Sequence, residues 1–311
     1  MVSDTAVLAP GLSYTDLRFL GHAQAVATVV VRAPGSVALI DPGPSTCLDE
    51  LERSLQAQGL ALGDVTDLLL THIHLDHAGA TGTIVRRYPH IRVRVHERGV
   101  EHLTRPAKLI DSATRFFGAA NMDRFWGEIA PVPEDHLVVV RGGERFDVGG
   151  RTFEVAYTPG HAVHHVSYFD GSSRMAFVGD TGGVRIGGGY VLPPTPPPDI
   201  DLEAWEASVR RISAWHPRGI FLTHFGPVDT VQVHLQTMLS NLRWMADQVR
   251  TSLSQDGSDE ERSHRFGELL RRHIREVAGV DRTAPYEPTA PLESLWFGLA
   301  RYWRKKAGDS P

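Results

Sequence analysis

Cysteine is almost missing from this 311-residue chain. Cys47 stands alone, so no intrachain disulfide can form, and zinc sites built on clustered cysteines are excluded. Any resident metal must be held by histidine and carboxylate. No apolar run approaches the roughly 20 residues that span a bilayer. Positive charge is not in excess: the net charge is −5, which removes the usual electrostatic pull toward nucleic acid or an anionic membrane. No Gly-x-Ser-x-Gly elbow is present, so an activated serine nucleophile is not expected. Met1 to Pro10 lacks a basic segment followed by an apolar core, so no signal peptide is read there and a cytoplasmic enzyme is expected. The remainder is ordinary for a globular protein, with 41% hydrophobic and 22% charged residues, enough for a sizeable core.

Short Val- and Ile-rich runs dominate the first 225 residues. Ala25 to Val31 and Ser36 to Ile40 flank Ala33-Pro34-Gly35 and read as a hairpin. Asp41-Pro42-Gly43-Pro44 ends the second run as a turn. Residues 46 to 58 follow as a helix with Leu48, Leu51 and Leu55 on one face. Val65 to Leu70 reads as a buried strand, Ile84 to Tyr88 as part of a helix, and Ile91 to Val95 as a strand. Residues 103 to 131 break this rhythm and read as a helical insertion carrying Phe116, Phe117, Met122, Phe125 and Trp126. Further strands are expected at Leu137 to Val140, Thr152 to Ala156, Val166 to Phe169, Met175 to Val178 and Ile220 to Leu222. A Gly/Pro segment from Gly187 to Pro198 precedes a helix over Leu202 to Trp215. Strands alternating with helices predict a layered α/β fold.

Beyond Pro227 only helices are expected. Val231, Leu235, Met238, Leu242, Met245 and Val249 form one apolar stripe. Ser258 and Glu261 make a capping box for a second helix, with Phe266, Leu269, Leu270, Ile274 and Val277 on its face. Arg262, Arg265, Arg271, Arg272 and Arg275 read as its solvated side. A third helix carries Leu292, Leu295, Trp296, Leu299 and Trp303. The chain therefore divides into 1–228, a catalytic domain, and 229–311, a helical extension packed on that domain or on a partner subunit of a homo-oligomer.

Residues 71 to 79 read Thr-His-Ile-His-Leu-Asp-His-Ala-Gly. His72, His74, Asp76 and His77 lie within six positions, and neutral imidazole with carboxylate suits zinc, iron or manganese. Three other apolar strands each run into a potential ligand: His161 in Thr158-Pro159-Gly160-His161, Asp180 in Gly179-Asp180-Thr181, and His224 in Thr223-His224-Phe225-Gly226. Strands that end at one sheet edge bring such loops together. Seven ligands then suit two divalent ions sharing one carboxylate, zinc first, with iron or manganese also compatible. Two cations bind and deprotonate one water between them, and the bridging hydroxide attacks a carbonyl carbon or a phosphorus. Asp76 both ligates and orients that nucleophile.

The pattern resembles the metallo-β-lactamase superfamily, in the branch that includes glyoxalase II. The resemblance runs through Ile40-Asp41-Pro42-Gly43, His72 to His77, His161, Asp180 and His224, over roughly residues 20 to 226. It implies a four-layer αββα sandwich. It assigns His72, His74 and His161 to the first metal, Asp76, His77 and His224 to the second, Asp180 to the bridge, and Asp41 to bracing the metal loops. His165 is expected beside the ligands, as relatives often repeat a histidine there. His22 and Tyr190 are read at the pocket rim, with Phe116 and Trp126 walling an apolar pocket. The lactonases of this fold carry a tyrosine nearer the bridging aspartate, where this chain has Gly182 and Gly183, a departure that weakens a specific lactonase assignment. The implied function is hydrolysis of an ester-type bond in a small molecule: a carboxylic ester, lactone, thioester or phosphoester. Two rivals share the fold. A mononuclear-iron persulfide dioxygenase is disfavoured by the complete second ligand set, and a nuclease or phosphodiesterase by the acidic charge.

Overall fold

Successive side chains of a strand point to opposite faces, so a run such as Val29-Val30-Val31 needs cover on both sides. The computed structural model, which describes residues 5–278, 284–287 and 290–308, provides it in four layers. The chain begins with β1 (Thr5–Ala9), β2 (Leu12–Asp16), β3 (Ala27–Ala33) and β4 (Ser36–Ile40). It continues through α1 (Leu48–Ala57), β5 (Val65–Leu69), α2 (Leu75–Ala78), α3 (Thr81–Arg87) and β6 (Arg92–His96). Then come α4 (Val100–Thr104), α5 (Ala107–Phe117), α6 (Ala119–Phe125) and β7 (Leu137–Val140). The next stretch holds β8 (Arg145–Val148), β9 (Arg151–Tyr157), β10 (Val166–Asp170), β11 (Met175–Phe177), α7 (Leu202–Ala214), β12 (Gly219–Leu222) and β13 (Gly226–Val228). Three helices close the chain: α8 (Val231–Leu253), α9 (Asp259–Ala278) and α10 (Leu295–Ala307).

The strands form two sheets, ordered β1-β2-β3-β4-β5-β6-β7 and β13-β12-β11-β10-β9-β8. In the first, β1 to β4 pair antiparallel and β4 to β7 parallel. In the second, only β11 and β12 are parallel. Val29, Val31, Ile40 and Leu69 face Phe153, Tyr168, Phe177 and Phe221 between the sheets. The alternate residues Val30, Leu39 and Leu68 face outward onto Leu51 and Leu55 of α1 and Ile84 of α3. On the far side, Ile220 and Leu222 meet Trp205 of α7, Met238 and Leu242 of α8, and Trp296 of α10. The four-layer sandwich is thus the direct outcome of period-2 alternation in strands buried on both faces.

The helices after β13 are packed on the second sheet. The stripe from Val231 to Val249 is buried throughout. The capping box is present, with Glu261 N–H donating to Ser258 Oγ at 3.2 Å and Ser258 N–H to Glu261 Oε2 at 2.8 Å. Val277 departs from its expected face: it is 62% exposed, because the end of α9 runs past the core. Arg271 departs from a solvated role, pairing with Glu287 and Glu293 at 2.9 and 3.2 Å. Leu292 lies ahead of α10 rather than in it, though fully buried. Trp296 is fully buried and donates its indole N–H to Ser252 Oγ at 2.8 Å. Trp296→Ala is expected to cost about 3–5 kcal/mol of stability, read as a lower urea midpoint.

The edge strands β1, β8 and β13, and β2 beside β1, are additions to the sequence reading. They are short and carry polar residues, so their alternation is weak. Strand β1 covers little: its Val7 is 80% exposed. The 103–131 insertion is broken into separate short helices, because Pro106 and Gly118 interrupt any longer one.

Candidate metal centre

Strands β9, β11 and β12 run in the same direction, so the loops after them share one edge of the second sheet. The loop after β5 meets them there from the first sheet. Val166 N–H donates to Thr71 O at 2.8 Å, and Ala27 N–H to Thr223 O at 2.9 Å, tying the two sheets together. Gly179 lets the turn after β11 close tightly. Its φ is +44°, and a Cβ there would lie 2.6 Å from Thr71 Oγ1.

All seven expected ligands converge. His72, His74, His161 and Asp180 form one group, and Asp76, His77 and His224 a second, with ligand atoms in each within 4.8 Å of one another. His72 Nε2 and His161 Nε2 each lie 3.0 Å from His74 Nδ1. His224 Nε2 lies 3.2 Å from His77 Nε2 and 3.3 Å from Asp76 Oδ2. Asp180 stands between the groups. Its Oδ2 is 3.3 Å from His161 Nε2, and its Oδ1 is 3.3 Å from His77 Nε2 and 3.5 Å from His224 Nε2. One carboxylate oxygen thus serves each group, the arrangement of a bridging ligand.

The outer nitrogens explain why the inner ones are bare. His77 Nδ1 faces Asp41 Oδ2 at 2.8 Å, His161 Nδ1 faces Pro194 O at 2.9 Å, and His224 Nδ1 faces Ala25 O at 2.6 Å. His72 Nδ1 lies 3.1 Å from Thr71 Oγ1, whose own proton goes to Asp41. Each of these acceptors holds the ring proton on Nδ1 and leaves the Nε2 lone pair pointing inward. Converging lone pairs repel unless a cation lies among them. Asp180 Oδ1 is also buried without a hydrogen-bond donor. The donor set therefore fits divalent cations, held by nitrogen and oxygen alone.

Electrostatics agree. Burial and the neighbouring imidazoles hold His72 well below its usual pKa, and burial with His161 drives His74 down to about 3. Both rings are neutral, as metal ligands must be. Burial opposes charge on His77, but Asp180, Asp41 and Asp76 outweigh it and raise its pKa well above normal. Burial likewise opposes ionisation of Asp180, yet His77, His161 and His224 hold it well below the carboxylate range. Without a cation, this cluster of carboxylates draws a proton onto His77; a cation would supply that charge instead.

Asp41 is the brace. It is 1% exposed and accepts from Thr71 N–H at 2.8 Å, Thr71 Oγ1 at 2.8 Å and Thr223 Oγ1 at 3.0 Å, besides facing His77. Thr71 and Thr223 were missed as functional residues, although the repeated Thr-His at 71–72 and 223–224 was the signal. Trp205 was also unassigned. Its indole N–H donates to Thr181 O at 2.9 Å and its ring stands edge-on to His161 at 5.7 Å.

The remaining candidates separate. His165 stacks on His72 at 5.1 Å, with Nδ1 near Thr158 and Thr181, and makes no hydrogen bond to a ligand. His164 instead reaches the cavity beside the ligand groups, as does His102. Phe116 and Trp126 line that same cavity, which measures about 290 Å³ and reaches His74, Asp76, His161 and Asp180. His22 is exposed and outside the cavity wall, which is formed by Phe19 and Leu20 instead. Tyr190 does not reach it either. The pairing of Val184 with Leu192 folds its segment away, and Tyr190 packs at 5.7 Å from His273 of α9. Cys47 is buried and its thiol is pushed up to about 12 by burial, which leaves it inert.

Residues 22–214 match the family model of the metallo-beta-lactamase superfamily. The chain belongs to this superfamily. Its members are mostly metal-dependent hydrolases. The metallo-beta-lactamase fold-containing protein ST1585 of Sulfurisphaera tokodaii is 30% identical over 213 residues, covering 67% of this chain and 74% of that one. A hydroxyacylglutathione hydrolase of Synechococcus is 29% identical over 150 residues, 46% of this chain and 44% of that enzyme. The match thus spans less than half of that enzyme. The crystal structure of the family protein TTHA1429 from Thermus thermophilus superposes with a TM-score of 0.72, covering 97% of this chain and 95% of that one at 21% identity. This last likeness extends the shared fold to the C-terminal helices. Among the described residues no helix is long and apolar enough to cross a membrane.

Proposed function

We propose that the protein is a dinuclear metal-dependent hydrolase that cleaves an ester-type bond in a small molecule. Carboxylic esters, lactones, thioesters and phosphoesters are the candidate substrates. One observation carries this reading: Asp180 presents one carboxylate oxygen to each of two histidine groups. Two divalent ions, zinc first, would supply an acidified water and an electrophile for the substrate's oxygen. The chain supplies the rest. His72, His74 and His161 would hold one ion, and Asp76, His77 and His224 the other. Asp76, which lines the cavity, would orient the attacking water and accept its proton. His164 and the aromatic wall exclude bulk water from the reacting bond. The partial likeness to hydroxyacylglutathione hydrolases supports hydrolysis without naming the substrate.

Metal quantification of the purified protein tests this, coupled to a panel of carboxylic, thio-, lactone and phosphate esters. Two ions per chain and turnover of at least one ester class are expected. One iron per chain with oxygen uptake on a persulfide would sink the reading in favour of an oxidoreductase. A fully loaded protein inert on the whole panel would reduce it to a metal-binding scaffold.

A further inference from the structure

The chemistry above leaves the substrate's body undefined, and the cavity beside the metals defines it. Its wall is aromatic and aliphatic: Leu109, Ala113, Phe116 and Phe117 from α5, and Phe19 and Trp126 stacked at 5.5 Å. The opposite side is Pro194, Pro196 to Pro198 and Leu295. Beyond the ligands, three charged residues reach the lining, and each already has a partner. Lys108 pairs with Glu101 at 3.1 Å, Glu287 with Arg271 at 2.9 Å, and Asp199 accepts from Val163 N–H at 3.5 Å. Lys108 is 76% exposed and stands at the rim, so among the described lining residues no buried cation receives a carboxylate or a phosphate on the substrate's body. Burying an unpaired charge in such a wall is costly.

The cavity's volume bounds the size of the group it takes. Its volume of about 290 Å³ is at the lower end for small-molecule sites. At about 30 Å³ for a water-sized group, it holds roughly ten such groups. It ends on His74, Asp76, His161 and Asp180, so a group filling it has its reacting end at the ligands.

We infer that the site takes esters bearing one uncharged apolar arm of about eight to ten carbons, lodged between α5 and the 194–198 segment. This rests on the hydrolase reading and narrows it to carboxylic esters, lactones and thioesters of lipid-like character. Helix α5 and the 194–198 segment set the preference, and the metal ligands do not.

The test uses the full-length, zinc-loaded protein with two ester series. One is p-nitrophenyl esters from acetate to dodecanoate; the other is acetates of alcohols from ethanol to dodecanol. A rise in kcat/KM of about four-fold per methylene is expected up to eight to ten carbons, the equivalent of about 0.8 kcal/mol per buried methylene, followed by a fall. The series that shows it identifies whether the arm is on the acyl or the alcohol side. Ser112→Phe, which plugs the cavity, is expected to lower the octanoate-to-acetate ratio more than ten-fold. Phe116→Ala is expected to move the optimum to longer chains. A binding measurement stands apart from turnover: calorimetric titration of the metal-free protein with 1-octanol, with ethanol as control. Octanol binding that Ser112→Phe removes, without hydrolysis of any ester, would uphold the cavity and overturn the hydrolase reading. Ester hydrolysis that is flat across both series, with no octanol binding, would overturn the apolar-arm inference and leave the hydrolase intact.

Discussion

Asp180→Ala is expected to lower kcat/KM by on the order of 10³-fold or more and to leave at most one ion per chain. The size follows from position. Among the described residues, Asp180 is the single group whose two oxygens face both histidine clusters, at 3.3 Å on each side. Its loss removes a ligand from each ion at once and leaves His77 and His161 without a shared counter-charge. Asp180→Asn keeps the shape but presents an amide nitrogen to one cluster, so it should retain one ion and lose nearly all turnover. Metal analysis beside steady-state kinetics reads both effects. A circular dichroism spectrum identical to that of the parent would attribute the loss to the site and not to unfolding. His22→Ala is the control: His22 is exposed and outside the cavity, so activity should be unchanged. Substantial hydrolysis by Asp180→Ala would refute the assignment of the site.

Asp41→Ala is expected to destabilise the protein by about 3–5 kcal/mol even with all metal chelated. Four groups lose their acceptor together: Thr71 N–H, the Thr71 and Thr223 hydroxyls, and His77 Nδ1. All are buried, so water does not replace the lost bonds. Urea unfolding of the chelated variant measures this cost separately from the ions. Metal affinity should also fall, by about 10- to 100-fold, because His77 is then free to turn or to change tautomer. An unchanged urea midpoint would show that the brace is dispensable. Asp41→Asn should fall between the two, since it keeps one acceptor oxygen but points an amide donor at groups that are themselves donors.

The ligand set was legible in the sequence because its chemistry is local. His72 to His77 crowd one loop, and His161, Asp180 and His224 each follow an apolar strand. The layered fold was legible for the same reason: central strands buried on both faces read as continuous apolar runs. The packing behind His161 was not legible: a Cβ on Gly160 would lie 2.4 Å from Trp205 Cα, a contact between segments far apart in the chain. Tyr190 was misplaced because the Val184–Leu192 pairing that turns it away is equally invisible in a local reading. The cavity wall was half seen. Phe116 and Trp126 announced themselves as an aromatic insertion, whereas Phe19 and the prolines come from other segments brought in by the tertiary structure.

The bond between Thr223 and Asp41, at 3.0 Å, joins residues 182 positions apart. It links the two sheets behind the ligands, and neither sheet alone carries a complete ion site. Contacts of such wide separation form late, once the chain has closed its largest loops. Ion capture is therefore a clock on folding. During refolding, a colorimetric metal indicator should report uptake only after the sheets have docked, and a chain stalled with one sheet formed should leave the ions in solution.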